Sequence, residues 1–324
     1  MQNVVLDSTR FLIQKPEFVF IKKDKLEDVA KKFANQHLTL PDWNAPVYPE
    51  EKNKQTVDFF FVGNSINFAY TDFETKQKWA AEYKGKQWKG AYGMFACLKR
   101  AVDNNIPITE GEYLKDLTEK ELNKIFEGSF QIPMFNERLN ILREVGWVLC
   151  DKYDGHFYNL VLASKNRLFN NGKGIVERLT KDFISFDDSV VHNYKPIRFD
   201  KRAQLAPGML YSKFQNQGDF RVTDIDELTV FADYVLPKGL RDLGVIEYEK
   251  SLANLVDSQQ IILSGSRGEM EIRASTIHAA KMLTDRVNEL TGKKINSLHM
   301  DYKLWEESRN PEGKPHHLCR TIMY

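Results

Sequence analysis

The sequence predicts a mainly α protein: a single compact helical domain over residues 1–324 with a small β element. Apolar residues recur at spacings of three and four, as in Phe135, Leu139, Leu142, Val145 and Leu149, the pattern of a helix with one face on a core. Alternation with a period of two is confined to one short stretch, Trp79–Trp88, which suits a hairpin. No repeat, low-complexity tract or clear linker divides the 324 residues, a length that fits one large domain or two ordinary ones.

Residues 1 to about 40 are expected to be helical, with Leu26, Val29, Ala30 and Phe33 as the apolar stripe. Three prolines from Pro41 to Pro49 then read as a loop. The window VDFFFVGNSINFAYTDF, Val57–Phe73, is the most hydrophobic in the chain and keeps neither period cleanly. It should hold a buried helix end or strand, a turn at Gly63–Asn64 and then a strand. Asn64, Ser65 and Asn67 are polar groups inside it. Buried amides are costly unless hydrogen-bonded, so these residues either tie down a turn or face a ligand.

The hairpin should turn at Lys84–Gly85 and lead into a helix through Ala96, Leu98 and Val102. From Pro133 the chain is strongly helical, with further helices near 156–163 and 170–182, and Asp187–Asp188 reads as a solvated loop. Phe199–Leu210 puts Lys201 and Arg202 near a helix start, where cations oppose the helix dipole. That points to an anionic partner, against the commoner reading of an ordinary surface pair.

In TVFADYVLPKGLRDLG, Thr229–Gly244, Asp233 lies between Phe231 and Tyr234, just before a short helix. Pro237 suits the first turn of that helix, Leu236, Leu240 and Leu243 share a face, and Gly244 supplies the stop. Asp233 either caps the helix or offers a carboxylate between aromatic walls to a planar ring. A long helix should follow over RGEMEIRASTIHAAKMLTDRVNEL, with Ile272, Thr276, Ala280, Leu283, Val287 and Leu290 inside. INSLHMDYKLWEE then places Ile295, Leu298, Tyr302 and Trp305 on one stripe with Asp301 beside it. A carboxylate at such a boundary is partly desolvated, which raises its pKa and suits acid–base work. The bland alternative is a partner for a nearby Arg or Lys.

Lys plus Arg number 46 against 45 for Asp plus Glu, a formal charge of +1. A protein that grips a nucleic acid backbone normally carries a basic excess, so a small ligand is favoured over a duplex. Cys97, Cys150 and Cys319 lack metal or redox spacing and read as reduced thiols. Charges come too early for a secretory apolar core, and no segment reaches the roughly 20 apolar residues of a membrane helix. A cytoplasmic location is expected, with no membrane partner. There is no Walker-type loop, HExxH or G-x-S-x-G elbow, and His316–His317 cannot act as helical i, i+4 metal ligands do. No metal or cofactor is implied. Carboxylates, a lysine and aromatics remain, the equipment of a glycosidic hydrolase or of a ring-binding module without a reaction.

The runs NSINFAY (64–70), YKGKQWKGAYG (83–93), IPIT (106–109), ERLNILREVGWVL (137–149), KRAQ (201–204), FADYVLP (231–237), EMEIRA (269–274), MDYKLWE (300–306) and PHHLCRTIMY (315–324) resemble, in order and spacing, those of the queuosine salvage proteins, or queuosine 5′-phosphate N-glycosylases. The resemblance implies a fold similar to helix-hairpin-helix DNA glycosylases and cleavage between ribose 5-phosphate and the base queuine, which is then available for insertion into transfer RNA. The family's active-site lysine and aspartate match Lys201 and Asp233, and its C-terminal aspartate matches Asp301. This chain departs from the family in its first motif, where it has Asn64 and Thr71.

On that resemblance Asp233 and Lys201 form the catalytic pair and Asp301 faces the base or the ribose, with the two aspartates interchangeable at this stage. Lys201 serves either the 5′-phosphate or the reaction centre. Phe231, Tyr234, Tyr302 and Trp305 are stacking candidates, Asn67 a polar one, and His317 and Arg320 candidate phosphate cations. The substrate would be a free nucleotide, with no stable nucleic acid complex. The competing readings are a non-catalytic module for modified nucleosides or tRNA, and a DNA glycosylase proper.

Overall fold

The apolar stripes become the buried faces of fourteen α-helices among residues 3–324, which the computed structural model describes; eight short strands accompany them. Helix α1 (Val4–Gln14) starts where the Asn3 side chain accepts the N–H groups of Val5 and Leu6, an N-cap that satisfies otherwise orphaned donors. Strand β1 (Val19–Ile21) and α2 (Lys23–Ala34) follow, and Leu26, Val29, Ala30 and Phe33 are all buried. The helical expectation for this region missed β1, and its first two residues lie outside the described ones.

Helix α3 (Lys54–Ser65) runs through Gly63–Asn64 without the expected turn. The ring of Phe95 fills the space beside Gly63, where a Cβ would lie 2.2 Å from Phe95 Cε1, so glycine here serves helix packing. The expected strand is also absent, since Thr71 makes only an isolated bridge to Lys78. The hairpin does form, from β2 (Ala80–Tyr83) and β3 (Lys86–Lys89). Lys84 and Gly85, both at positive φ, make the two-residue turn that matches strand twist.

Next come α4 (Ala91–Asp103), α5 (Gly111–Lys115), α6 (Glu119–Ile125) and α7 (Phe135–Lys152), with all five residues of the α7 stripe buried. Helices α8 (Phe157–Ala163) and α9 (Ile175–Asp182) lie near the expected ranges. The second starts late because the Glu177 carboxylate accepts the N–H groups of Asn170 and Gly174 and closes a loop there. A hairpin of β4 (Ser189–His192) and β5 (Lys195–Arg198) was not foreseen.

After α10 (Lys201–Phe214) come α11 (Val235–Asp242), β6 (Ile246–Tyr248), α12 (Lys250–Asp257), β7 (Ile261–Ile262), α13 (Arg267–Thr291), α14 (Ser297–Glu307) and β8 (Leu318–Cys319). Strand β6 pairs antiparallel with β1, and β8 parallel with β7. The β structure is therefore four two-stranded ribbons rather than one. In α13 the expected inner face is buried except for Leu290, which falls in the last turn before Gly292 ends the helix at φ 66°. The three cysteines are free. Among the described residues no helix is long and apolar enough to cross a membrane.

The buried apolar side chains fall into two clusters. One is built from residues 47–231 with Leu298; the other joins the N-terminal helices to the segments around α11–α14. Val230 and Ala232 point into the second cluster while Phe231 points into the first, as alternation along an extended chain requires. On α14, Leu298 serves the first cluster and Met300 and Leu304 the second. Residues 230–233 and α14 thus form the seam between two cores, and any carboxylate they carry is brought into low-dielectric surroundings.

Candidate active site

At this seam lies a cavity of about 240 Å³, with Lys201, Asp233 and Asp301 all on its wall. Helix α10 contributes Lys201, Leu205, Gly208, Met209 and Ser212, a spacing that puts them on one face. Gly208 is needed there because a Cβ would lie 2.8 Å from the Phe231 ring. The α10 start is held by Asp188, whose Oδ2 accepts the Lys201 N–H at 3.1 Å. Lys201 Nζ donates to the carbonyl of Asn67 at 3.2 Å. Burial pushes the Lys201 pKa down to about 8, while Asp233 and Asp301 pull it back up.

Asp233 does cap α11, as the plainer reading held: its Oδ1 accepts the N–H groups of Val235 at 2.7 Å and Leu236 at 3.3 Å. The same carboxylate lines the cavity, and among the described residues no group hydrogen-bonds its Oδ2. Asp301 Oδ2 accepts the Phe231 N–H at 2.8 Å. Burial, reinforced by the neighbouring charge of Asp233, pushes the Asp301 pKa up to about 8; the Phe231 N–H and Lys201 oppose the shift. A carboxyl kept protonated near neutrality can donate a proton or hydrogen bond.

One guanidinium ties these pieces together. Arg273 of α13 donates to both oxygens of Asp188, at 2.8 and 2.5 Å, and its Nε donates to the carbonyl of Ala232 at 3.1 Å. It sits between the rings of Phe199 and Tyr324. The expectation of a solvated Asp187–Asp188 loop is therefore wrong for Asp188, which is 3% exposed and joins the start of α10 to the Asp233 segment. Lys201 and Arg202 are not a surface pair either; both are buried, and Arg202 donates to the carbonyls of Ser65 and Ser185. Arg138 in turn holds the carbonyls of Ile66, Phe68 and Ala69.

Within the loop so held, Asn67 Nδ2 donates to Asn64 Oδ1, and Asn67 Oδ1 accepts from Tyr70. The amide of Asn67 is thus tied down, although the residue lines the cavity. The Asn64 side chain is occupied by Phe60, Met209 and Asn67.

Phe231, Tyr234, Tyr302 and Trp305 all reach the cavity. Leu298, Tyr302 and Trp305, three of the four residues expected on one α14 stripe, face the cavity, and Met300 and Leu304 are the more deeply buried residues. Tyr302 stacks on Trp305 with centroids 5.7 Å apart, Tyr92 lies 6.4 Å beyond, and Trp88 stacks on Tyr92 at 6.1 Å. Tyr92 and Trp88 escaped attention as ligand-facing groups because hairpin periodicity explained that stretch without them.

Neither phosphate cation named from the sequence lies on the cavity wall. His317 is buried with Nε2 3.1 Å from the Tyr324 hydroxyl, and burial pushes its pKa down to about 3, so it is a neutral ring. Arg320 is exposed and reaches toward Glu137. Two other wall residues went unnoticed: Trp43 Nε1 and Ser212 Oγ are buried atoms without a protein partner, and no local pattern marks either. Among the described residues no three His, Cys, Asp or Glu side chains could jointly hold a metal ion.

The family described as queuosine salvage protein matches residues 47–324. The chain belongs to that family. A queuosine 5′-phosphate N-glycosylase/hydrolase of Sphaerobacter thermophilus is 33% identical over 322 residues, covering 99% of this chain and 97% of that protein. Proteins of the same name from Bos taurus and Nematostella vectensis are each 30% identical, the first over 98% of both chains and the second over 92% of this chain and 90% of its own. The queuosine salvage match thus spans every residue on the cavity wall except Pro41–Ala45.

Proposed function

We propose that this protein hydrolyses the N-glycosidic bond of queuosine 5′-phosphate, releasing queuine and ribose 5-phosphate for salvage of the base into tRNA. The observation that carries the reading is one cavity holding Lys201, Asp233 and Asp301 in a chain related end to end to proteins of that name. Kinship of the fold with helix-hairpin-helix DNA glycosylases is part of the proposal, as is a free nucleotide rather than a nucleic acid as substrate. The near-neutral charge supports the latter.

Cleavage of an N-glycoside builds positive charge on the sugar, which a nearby carboxylate stabilises. Asp233, anchored through one oxygen, keeps the other for this task and for taking a proton from the attacking water. Queuine is a 7-deazaguanine and lacks the basic N7 that would otherwise accept a proton. As the C1′–N9 bond breaks, its electron pair stays on the base, and Asp301 in its protonated form hands the base a proton. Water adds to C1′, and its proton passes to Asp233. Lys201 serves the reaction centre, holding ribose or water between the two carboxyl groups. From Lys201 to Ser212 the α10 face runs roughly 16 Å, and the unpartnered Ser212 Oγ and Trp43 Nε1 suit the diol arm that distinguishes queuine from guanine.

The test is to incubate the purified protein with queuosine 5′-phosphate and follow free queuine by mass spectrometry, with guanosine 5′-phosphate as control. Release from the first alone is the expected result. Tight binding without release would overturn the hydrolase reading in favour of a binding module.

A further inference from the structure

Five consecutive carbonyls, from Ser65 to Ala69, each accept a hydrogen bond from a buried cationic side chain. Arg202 takes Ser65, Lys201 takes Asn67, and Arg138 of α7 takes Ile66, Phe68 and Ala69. The cations that crowd the start of α10 thus face carbonyl dipoles, which offset their repulsion by the helix dipole. One guanidinium grips the carbonyls on both sides of Asn67, and its Nε donates to the carbonyl of Pro133 at 3.0 Å, just ahead of α7. Ala69 stands at φ 38°, a strained setting for a residue with a Cβ, which persists only where the surroundings over-determine it. Its N–H goes to the carbonyl of Tyr324 at 3.3 Å.

Arg138 and Arg202 are buried, and among the described residues neither forms an ion pair. Burying a charge without a counter-charge is costly, and burial pushes both guanidinium pKa values down to about 10. The Phe68 ring offsets part of that cost, with its centroid 4.2 Å from Arg138 and 5.3 Å from Arg202; Tyr70 lies 5.1 Å from Arg138. A neutral donor would satisfy a carbonyl without burying a charge. What a guanidinium adds is a rigid planar fork, which fixes several acceptors relative to one another. Arg138 lies off the cavity wall, whereas Asn67, Phe68 and Tyr70, which it braces, are on it.

We propose that Arg138 is a positioning residue for the reaction: by fixing the carbonyls on either side of Asn67, it sets the Asn67 carbonyl that holds the Lys201 ammonium in the cavity shared with Asp233 and Asp301. This rests on the function proposed above only in naming that reaction. The chain of action runs from α7 through the 65–69 loop to the start of α10, and no atom of Arg138 meets the substrate. Lys201 has one hydrogen bond from its ammonium to the protein, at 3.2 Å to Asn67, so its place in the cavity follows that single oxygen. The side chain of Asn67 is steadied separately, by Asn64 and Tyr70.

The experiment compares wild type, Arg138→Lys, Lys201→Met and the double variant, with folding checked by melting temperature. Turnover of queuosine 5′-phosphate is measured, and reductive methylation of Lys201 by formaldehyde and borohydride is followed by mass spectrometry against the exposed lysines. A lysine at this position keeps the charge but loses the fork that spans the carbonyls. Arg138→Lys should lower kcat by about tenfold to a hundredfold, the range that a misplacement of about 1 Å produces, with KM within about threefold of wild type. In the Lys201→Met background the same change should cost less than about twofold, because residues that act as a unit are non-additive. Lys201 should also be methylated faster in Arg138→Lys than in wild type. Equal losses in both backgrounds, with wild-type methylation of Lys201, would overturn the proposal and leave Arg138 a structural residue. Where Lys201→Met turns over too slowly to compare, the methylation rate decides alone. Should Arg138→Lys not fold, Asn64→Ala frees the Asn67 amide from off the cavity wall; unchanged methylation and kcat there would sink the proposal. Faster methylation in a protein that releases no queuine would keep the hold on Lys201 and overturn only the hydrolase reading.

Discussion

At its inner end the cavity is walled by groups that the protein holds from several sides, whereas at its mouth the groups stack on one another and reach into water. Lys201 is tied through its N–H to Asp188 and through its ammonium to Asn67. Asp233 is tied to α11 and Asp301 to Phe231. Arg273 links two of these segments at once. At the mouth, Tyr302, Trp305, Tyr92 and Trp88 form a row of rings with cations laid over the indoles. Bond-making chemistry needs fixed geometry, and binding of a planar, charged substrate needs surface area and charge. The division predicts that damage inside costs rate and stability, and damage at the mouth costs affinity.

The largest break should come from Asp188→Ala, which leaves buried Arg273 with only the more distant Glu269 carboxylate at 3.8 Å and the Lys201 N–H at the start of α10 without its acceptor. Removing one member of a buried ion pair costs about 3–5 kcal/mol, read in guanidinium unfolding, and turnover should fall with it. Lys89→Ala at the mouth should cost less than about 0.5 kcal/mol.

A second effect concerns pH. Asp301 is held up at about 8 against an ordinary 3.8. Between those values the folded state keeps a proton that the unfolded state has lost, so its contribution to stability shrinks as pH rises. Asp301→Asn should therefore gain stability relative to wild type on going from pH 4 to pH 8, measured as the difference in unfolding midpoints. In wild type kcat should decline as pH rises through about 8, where Asp301 loses its proton and Lys201 its charge. Flat stability differences with pH would sink the assignment of Asp301 as the held acid.

The smallest effect belongs to the ring row. Trp305→Ala should raise KM for queuosine 5′-phosphate by about tenfold, as loss of one stacking partner typically does, with kcat changed by less than about twofold. A loss confined to kcat would move Trp305 to the reacting end.

How much of this was legible follows from the range of each signal. The helices over α7 and α13 were read because their stripes are local, and the β2–β3 hairpin because Lys84–Gly85 is a turn in itself. The pairing of β1 with β6 joins residues such as Val19 and Tyr248, and nothing near either announces it. Asp233 and Asp301 stood out as carboxylates beside aromatics, and both are on the wall. Asp188 was misread because a pair of aspartates resembles a solvated loop, while its partner Arg273 lies 85 residues away. His317 and Arg320 were named by charge alone, and tertiary packing turned one inward and the other outward. Lys78 and Lys89 look like ordinary lysines of the hairpin region until the fold sets them on the wall of the cavity that also holds Asp233.

The central claim is that Asp233 does chemistry at the inner end while binding resides elsewhere, and steady-state kinetics of Asp233→Asn on queuosine 5′-phosphate tests it most directly. The substitution keeps the side chain's shape and an oxygen to cap α11. We expect kcat to fall by on the order of 10³, with KM within about threefold of wild type and an unchanged melting temperature. Wild-type turnover by the folded variant would contradict the account.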